Sequence, residues 1–229
     1  MRPLRLLLAT TLLGVLARSA ATAQQTDGAQ QREVAQQQQP GSAEAEAKPP
    51  AWEFGASLYG YFVPQDRDYA SPIVTADHGG LHLEGRYNYE GPHAGSVFVG
   101  WNTEAGSKLH MNLTAIIGGV FGDTRGVAPG YELTLTWKSF ELYSEGEYVI
   151  DVNDSSENFF YNWAQLGYSP LDWLTVGLAS QRTRAYHTDL DVQRGVFLAL
   201  THKSLTLSTY VFNFGWESPT VIVSLSVKF

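Results

Sequence analysis

The side chains of this sequence that could do chemistry are ionisable groups placed at every second position. His82, Glu84, Arg86, Asn88 and Glu90 alternate with Leu81, Leu83, Gly85, Tyr87 and Tyr89. Glu141, Tyr143, Glu145 and Glu147 alternate with an apolar set, Phe140, Leu142, Tyr148 and Ile150. His110 stands between Leu109 and Met111, and Glu132 between Tyr131 and Leu133, in the same manner. A period of two sends successive side chains to opposite faces of a strand, so each run has a charged face and an apolar face. Seven carboxylates (Glu53, Glu84, Glu90, Glu132, Glu141, Glu145, Glu147) share the polar faces with three cations, Arg86, Lys138 and Lys228. Unpaired carboxylates in a dry interior are costly or take up protons. Such a face is therefore either wet or closed by paired networks around Arg86.

Two constellations could hold a metal. Asp151, Asn153, Asp154 and Glu157 supply hard oxygen donors, but not at the spacing of a calcium-binding helix–loop–helix, and ordinary turn chemistry accounts for them. His82, Glu84 and His110 would converge only if their strands faced each other, and a hydrogen-bonded network is the simpler expectation. No metal site and no cofactor is assigned on the sequence. The chain has no Cys, which excludes a disulfide framework, a thiolate site and a lipoprotein anchor.

The elements that position these residues begin late in the chain. Arg2 and Arg5, an apolar run from Leu6 to Leu16 and Ala21-Thr22-Ala23 read as a signal peptide over 1–23. The apolar run is too short for a membrane helix, which needs roughly 20 residues. Residues 24–50 are rich in Gln, Ala and Pro with no aromatic, and read as a disordered leader. Of 15 basic residues the signal removes three, leaving 12 against 23 acidic residues and a net charge of −11. No basic face for nucleic acid remains.

From Trp52 onward, short alternating segments are separated by Gly, Pro, Asp and Asn, which is the pattern of an all-β domain over 51–229. Strands are expected near Trp52–Val63, Pro72–Ala76, Leu81–Glu90, Gly95–Asn102, Lys108–Gly118, Tyr131–Trp137, Phe140–Ile150, Phe159–Tyr168, Trp173–Thr183, Gly195–His202, Leu205–Asn213 and Thr220–Phe229. The shortest, Pro72–Ala76, could instead be loop. Connections alternate between long (121–130, 151–158, 184–194, 214–219) and tight (138–139, 169–172, 202–205), as they do in transmembrane barrels. With both termini on one side the strand number must be even. The expected fold is an antiparallel up-and-down transmembrane β-barrel of 12 strands, with 10 as the fallback.

The last stretch carries a family resemblance. Val221, Val223, Leu225, Val227 and Phe229 form one face, and Ile222, Ser224, Ser226 and Lys228 the other. A run of this kind that stops on a terminal Phe resembles the closing strand of bacterial outer-membrane β-barrel proteins, the strand that the barrel-assembly machinery reads. The resemblance covers Trp52–Phe229 at the level of architecture. It implies a location in the cell outer membrane, in contact with outer-membrane lipid and lipopolysaccharide. Period alone does not say which face points inward, since a soluble lipocalin-like barrel would invert the picture. Aromatics near strand ends (Trp52, Phe62, Tyr89, Trp101, Trp137, Tyr148, Tyr168, Trp173, Tyr210, Phe229) favour the membrane orientation, because they suit the two interfaces.

A lumen lined by His82, Glu84, Arg86, Asn88, Glu90, His110, Glu132, Glu141, Glu145 and Glu147 then implies a narrow porin-like channel. It would favour small cationic or neutral solutes. The alternatives are a plugged structural or adhesive barrel presenting its loops, and an outer-membrane lipid hydrolase. The resembled phospholipase pairs a His with a Ser two residues on. Here His202-Lys203-Ser204 has that spacing but falls on an expected tight turn, so no enzymatic activity is expected.

Overall fold

Strands with one apolar and one polar face, joined by tight turns, can bury every backbone hydrogen bond when the first strand pairs with the last. That is the arrangement found. In a computed structural model, which describes residues 50–64, 67–182, 192–215 and 219–229, the chain forms a closed antiparallel barrel of 12 strands. The strands are β1 (Glu53–Phe62), β2 (Tyr69–His78), β3 (Leu81–Tyr87), β4 (Ala94–Ala105), β5 (His110–Gly122), β6 (Gly126–Trp137), β7 (Phe140–Asp151), β8 (Phe159–Leu171), β9 (Leu174–Arg182), β10 (Gln193–His202), β11 (Leu205–Phe212) and β12 (Thr220–Lys228). The expected signal peptide, the leader up to residue 49 and residues 65–66, 183–191 and 216–218 of the connections lie outside the described residues.

The strand left as doubtful, Pro72–Ala76, is ten residues long and pairs on both sides, Tyr61 opposite Tyr69 and Asp77 opposite His82. The segment expected as a long loop at 121–130 is instead mostly strand, with only residues 123–125 connecting β5 to β6. Its Gly and Pro content misled the reading. Pro129 keeps its place opposite Ile117 of β5, while the β6–β7 ladder omits Ala128 and Pro129, as a residue without an N–H requires on one side.

Connections at the terminal end of the barrel, where β1 starts and β12 stops, are two residues long at 79–80, 138–139, 172–173 and 203–204, and four at 106–109. At the opposite end they range from three residues at 123–125 to ten at 183–192. Lys138 and Lys203 take φ of 54° and 56° in the two-residue turns, the left-handed backbone that such hairpins demand. Closure joins β1 to β12 from Gly55 opposite Lys228 to Phe62 opposite Val221. Beyond the strand ends, the Phe54 N–H donates to the Phe229 carbonyl at 2.8 Å, and the Phe229 N–H donates back at 3.0 Å.

Exposure decides the orientation that periodicity left open. Trp101, Leu178 and Leu225 are 64%, 61% and 46% exposed, whereas Ser96, Ser224 and Ile222 from the alternate positions are buried. The apolar face points outward, which suits lipid and is the reverse of a soluble barrel. Eight of the ten aromatics named for the interfaces are outward and exposed. Tyr89 and Tyr210 are not. Tyr210 shares the inward face with Ser208 and Phe212, and Tyr89 turns inward because Asn88 adopts φ 54° and breaks the alternation after β3.

Phe98 lies across its direct partner Gly118, where any Cβ would overlap the ring. Gly118→Val is therefore expected to displace Phe98 and cost about 1–3 kcal/mol, a typical overpacking loss. The cost would be read as a lower urea midpoint for the folded barrel in detergent. Gly119→Ala, where a Cβ meets nothing within 4 Å, should leave the midpoint unchanged.

Candidate functional site in the barrel lumen

Inward positions of β2 to β7 build a polar wall. From the terminal end upward, β3 contributes His82, Glu84 and Arg86, all buried. Glu132 comes from β6, Glu145 and Glu147 from β7, and Glu90 from the turn after β3. Arg86 is the hub of this wall. Its Nη2 donates to Glu84 Oε2 at 2.9 Å and lies 3.5 Å from Glu132 Oε1. Its Nη1 donates to Glu147 Oε2 at 3.3 Å and lies 4.0 Å from Glu90 Oε1. The guanidinium also sits 4.5 Å from the centre of the Phe98 ring and 4.6 Å from that of Tyr89, within cation–π range. The Arg86, Glu84 and Glu147 side chains are only 2%, 4% and 1% exposed. This layer is dry.

The contacts cross the barrel. Arg86 of β3 reaches β7, four strands away, and the Tyr161 hydroxyl of β8 donates to the Tyr89 hydroxyl at 2.7 Å. Tyr143 and Ser96 hydroxyls donate to Glu145 and Glu90, each at 2.5 Å. The opposite wall is aromatic: Trp163 of β8 meets Tyr210 and Phe212 of β11 edge-on at 5.0 and 5.6 Å, and Tyr59 of β1 at 6.4 Å. The lumen is thus divided lengthwise into an acidic wall and an aromatic wall, which touch at mid-height.

A second polar group sits nearer the terminal end. His82 Nδ1 lies 2.8 Å from Asp77 Oδ1, the oxygen to which Asn102 Nδ2 also donates at 2.8 Å. The Thr114 hydroxyl in turn donates to Asn102 at 2.6 Å. Asp77 went unnoticed in the sequence because β2 was cut short there. The signal was present: a two-residue turn at Gly79-Gly80 places Asp77 directly opposite His82. The aromatic wall was missed for a different reason. In β8, Phe159, Tyr161 and Trp163 alternate with Phe160, Asn162 and Ala164, so both faces carry apolar residues and the period is silent.

Of the other residues named for the lumen, two stay on the inward register of their strands but lie at its rim, and two leave it. His110 and Glu141 are exposed at the terminal mouth, both opposite Thr136 on adjacent strands. The lumen position expected for Asn88 is corrected to a turn role. Its Nδ2 donates to the Ala70 carbonyl at 3.0 Å, and its Oδ1 accepts the His93 N–H at 2.8 Å. Lys138 leaves the lumen altogether and lies over the Trp137 ring at 4.6 Å.

The oxygens of the 151–157 loop are engaged in turns. Asp151 Oδ1 accepts the N–H groups of Asn153 and Asp154, and Asp154 Oδ1 accepts the Ser156 hydroxyl and N–H. Those last two bonds hold the Asp154 carboxyl below its usual range. His202 ends β10, and Lys203-Ser204 form a two-residue turn at the terminal end.

No protein-family model matches the sequence, and no curated protein sequence does either. Among solved structures, a KdgM porin in complex with disordered oligogalacturonate superposes with a TM-score of 0.54 at 11% identity, covering 76% of this chain and 99% of that one. A second structure of KdgM porin gives 0.54 at 12% identity with the same coverage. Outer membrane phospholipase A from Escherichia coli gives 0.44 at 9% identity, covering 81% and 93%. At these identities the likeness to the porins is one of fold alone, a closed antiparallel β-barrel.

Proposed function

We propose that this chain is a narrow channel of the bacterial outer membrane, with an acidic lumen that favours small cationic or neutral solutes. One observation carries the reading. The polar wall extends from Asp77 and His82 near the terminal end, through Glu84, Glu132 and Glu145, to the Arg86 layer with Glu147 and Glu90. A plug that only has to fill space does not need so many charged residues facing inward, and burying them is expensive. The KdgM porin was captured with an oligogalacturonate, which is a polyanion. A carboxylate-lined wall repels such a chain, so the solute class proposed here is different. No enzymatic role is proposed.

The layer at Arg86 favours a second reading, because its side chains are dry and cross-bridged. In that reading the barrel is closed and structural. Planar bilayers separate the two. The channel reading expects small conductance steps and, in a salt gradient, a reversal potential of cation-selective sign. Neutralising Glu132 and Glu145 together to Gln should move that potential toward zero. A folded barrel giving no steps, in the wild type and in Trp163→Ala alike, would establish the closed barrel instead.

A further inference from the structure

We propose that the lumen contains a binding site for a divalent cation of the zinc class, formed by His82 Nε2, a Glu84 carboxylate oxygen and a Glu132 carboxylate oxygen. Among the described residues this is the group whose donor atoms converge, all lying within 4.8 Å of one another. The Nε2 atom stands 3.6 Å from Glu84 Oε2. Two ligands bound at roughly 2.0–2.2 Å around a tetrahedral ion stand about 3.3 Å apart, so only small side-chain shifts are needed.

The state of His82 points the same way. The residue is 4% exposed, and its Nε2 has no hydrogen-bond partner, since 3.6 Å is too long for one. A buried ring nitrogen left unpaired is costly and needs a reason. The opposite ring atom is held. Asp77 Oδ1 already accepts from Asn102, and a carboxylate can only accept, so Nδ1 carries the proton and donates to Asp77. With Nδ1 held by Asp77, Nε2 is the ring atom turned toward Glu84 and Glu132, and an ion binding there displaces any proton it carries. A carboxylate holding one imidazole nitrogen while the other faces the ion is the usual support of a histidine ligand.

Charge supplies a further, independent motive. Asp77, Glu84, Glu90, Glu132, Glu145 and Glu147 place six carboxylates along the wall, with Arg86 as the cation paired to four of them. Arg86, and Lys228 with its ammonium in electrostatic reach of Asp77 and Glu132, repel a further cation nearby, but the six carboxylates outnumber both, and Glu84 has two oxygens to divide between guanidinium and metal. Access is available from the terminal side, where the Glu132 and Asp77 side chains are 20% and 31% exposed. An imidazole beside two carboxylates selects a borderline ion such as Zn²⁺ over Ca²⁺ or Mg²⁺, which prefer all-oxygen sites.

The test is a calorimetric titration of the full chain, folded in detergent and stripped of metal by a chelator that is then removed. The titrant is Zn²⁺, and Ca²⁺ and Mg²⁺ are run separately. One equivalent of Zn²⁺ is expected to bind, without displacement by excess Ca²⁺ or Mg²⁺. Stoichiometric binding should be lost in His82→Gln and in Glu132→Gln, be weakened about 10- to 100-fold in Asp77→Asn, and persist in His93→Gln. Should a variant fail to fold, zinc-edge X-ray absorption on the wild type decides: one imidazole nitrogen with oxygens supports the site, and an oxygen-only shell overturns it. Failure of the wild type to bind, or full binding retained in His82→Gln or Glu132→Gln, also overturns it. The readout does not depend on whether the barrel conducts.

Discussion

Arg86→Ala is expected to destabilise the folded barrel by about 3–5 kcal/mol, the usual cost of removing one partner from a buried ion pair. The guanidinium is the counter-charge of Glu84 and Glu147, whose side chains are as dry as its own. Without it those carboxylates stay enclosed with nothing to balance them, and Phe98 and Tyr89 lose the cation on their faces. Arg86→Lys should fall between, because an ammonium keeps the charge but not the fork that reaches Glu84 through one nitrogen and Glu147 through the other. Arg86→Met combined with Glu84→Gln and Glu147→Gln should recover most of the loss, because the enclosed charge is then gone altogether. Urea unfolding followed by tryptophan fluorescence measures all three. A wild-type midpoint for Arg86→Ala would sink the hub role. In bilayers the same substitution removes the cation at the centre of the acidic wall and should raise cation selectivity, provided the barrel conducts.

Deleting Phe229 is the change expected to lower the amount of assembled barrel most. Phe229 exchanges two backbone hydrogen bonds with Phe54, one of 2.8 Å and one of 3.0 Å, and its ring stacks on Phe54 at 6.0 Å. These contacts fasten the seam between β1 and β12, the pairing of strands that are not consecutive in the chain. At about 1 kcal/mol for each hydrogen bond, the direct loss is near 2 kcal/mol. Heat-modifiable migration of the outer-membrane fraction is the measurement. Phe229→Tyr, which keeps the backbone and an aromatic ring, should assemble normally. Normal assembly of the deletion would show that β1 and β12 close the seam without the terminal residue.

What could be read in advance followed from a simple rule of sheet geometry. Side chains alternate, so Leu81 to Glu90 and Phe140 to Ile150 announced two-faced strands, and the terminal run from Val221 to Phe229 announced its lipid face. Connection lengths, with both termini taken to lie on one side, then favoured an even number of strands, 12 rather than 10. Composition misled only where it conflicted with pairing. Gly126, Gly130 and Pro129 look like loop residues, yet they sit in β6 because β5 on one side supplies the hydrogen bonds.

The interior is another matter. Alternation says that a residue faces inward but not which residue it meets across the lumen, and the partners are far apart in sequence: Arg86 with Glu147, Tyr89 with Tyr161, Tyr59 with Trp163. Those contacts depend on how the strands are staggered around the barrel, a quantity that no single strand contains. A turn residue with positive φ, Asn88, was enough to send Tyr89 inward against its expected parity. The sequence by itself determined an all-β chain of two-faced strands, one face apolar and the other rich in carboxylates, because those properties are local and periodic. Only the tertiary structure decided that the acidic face is tied together at Arg86, opposed by an aromatic wall, and arranged to aim His82 at two carboxylates, because these depend on distances across the barrel.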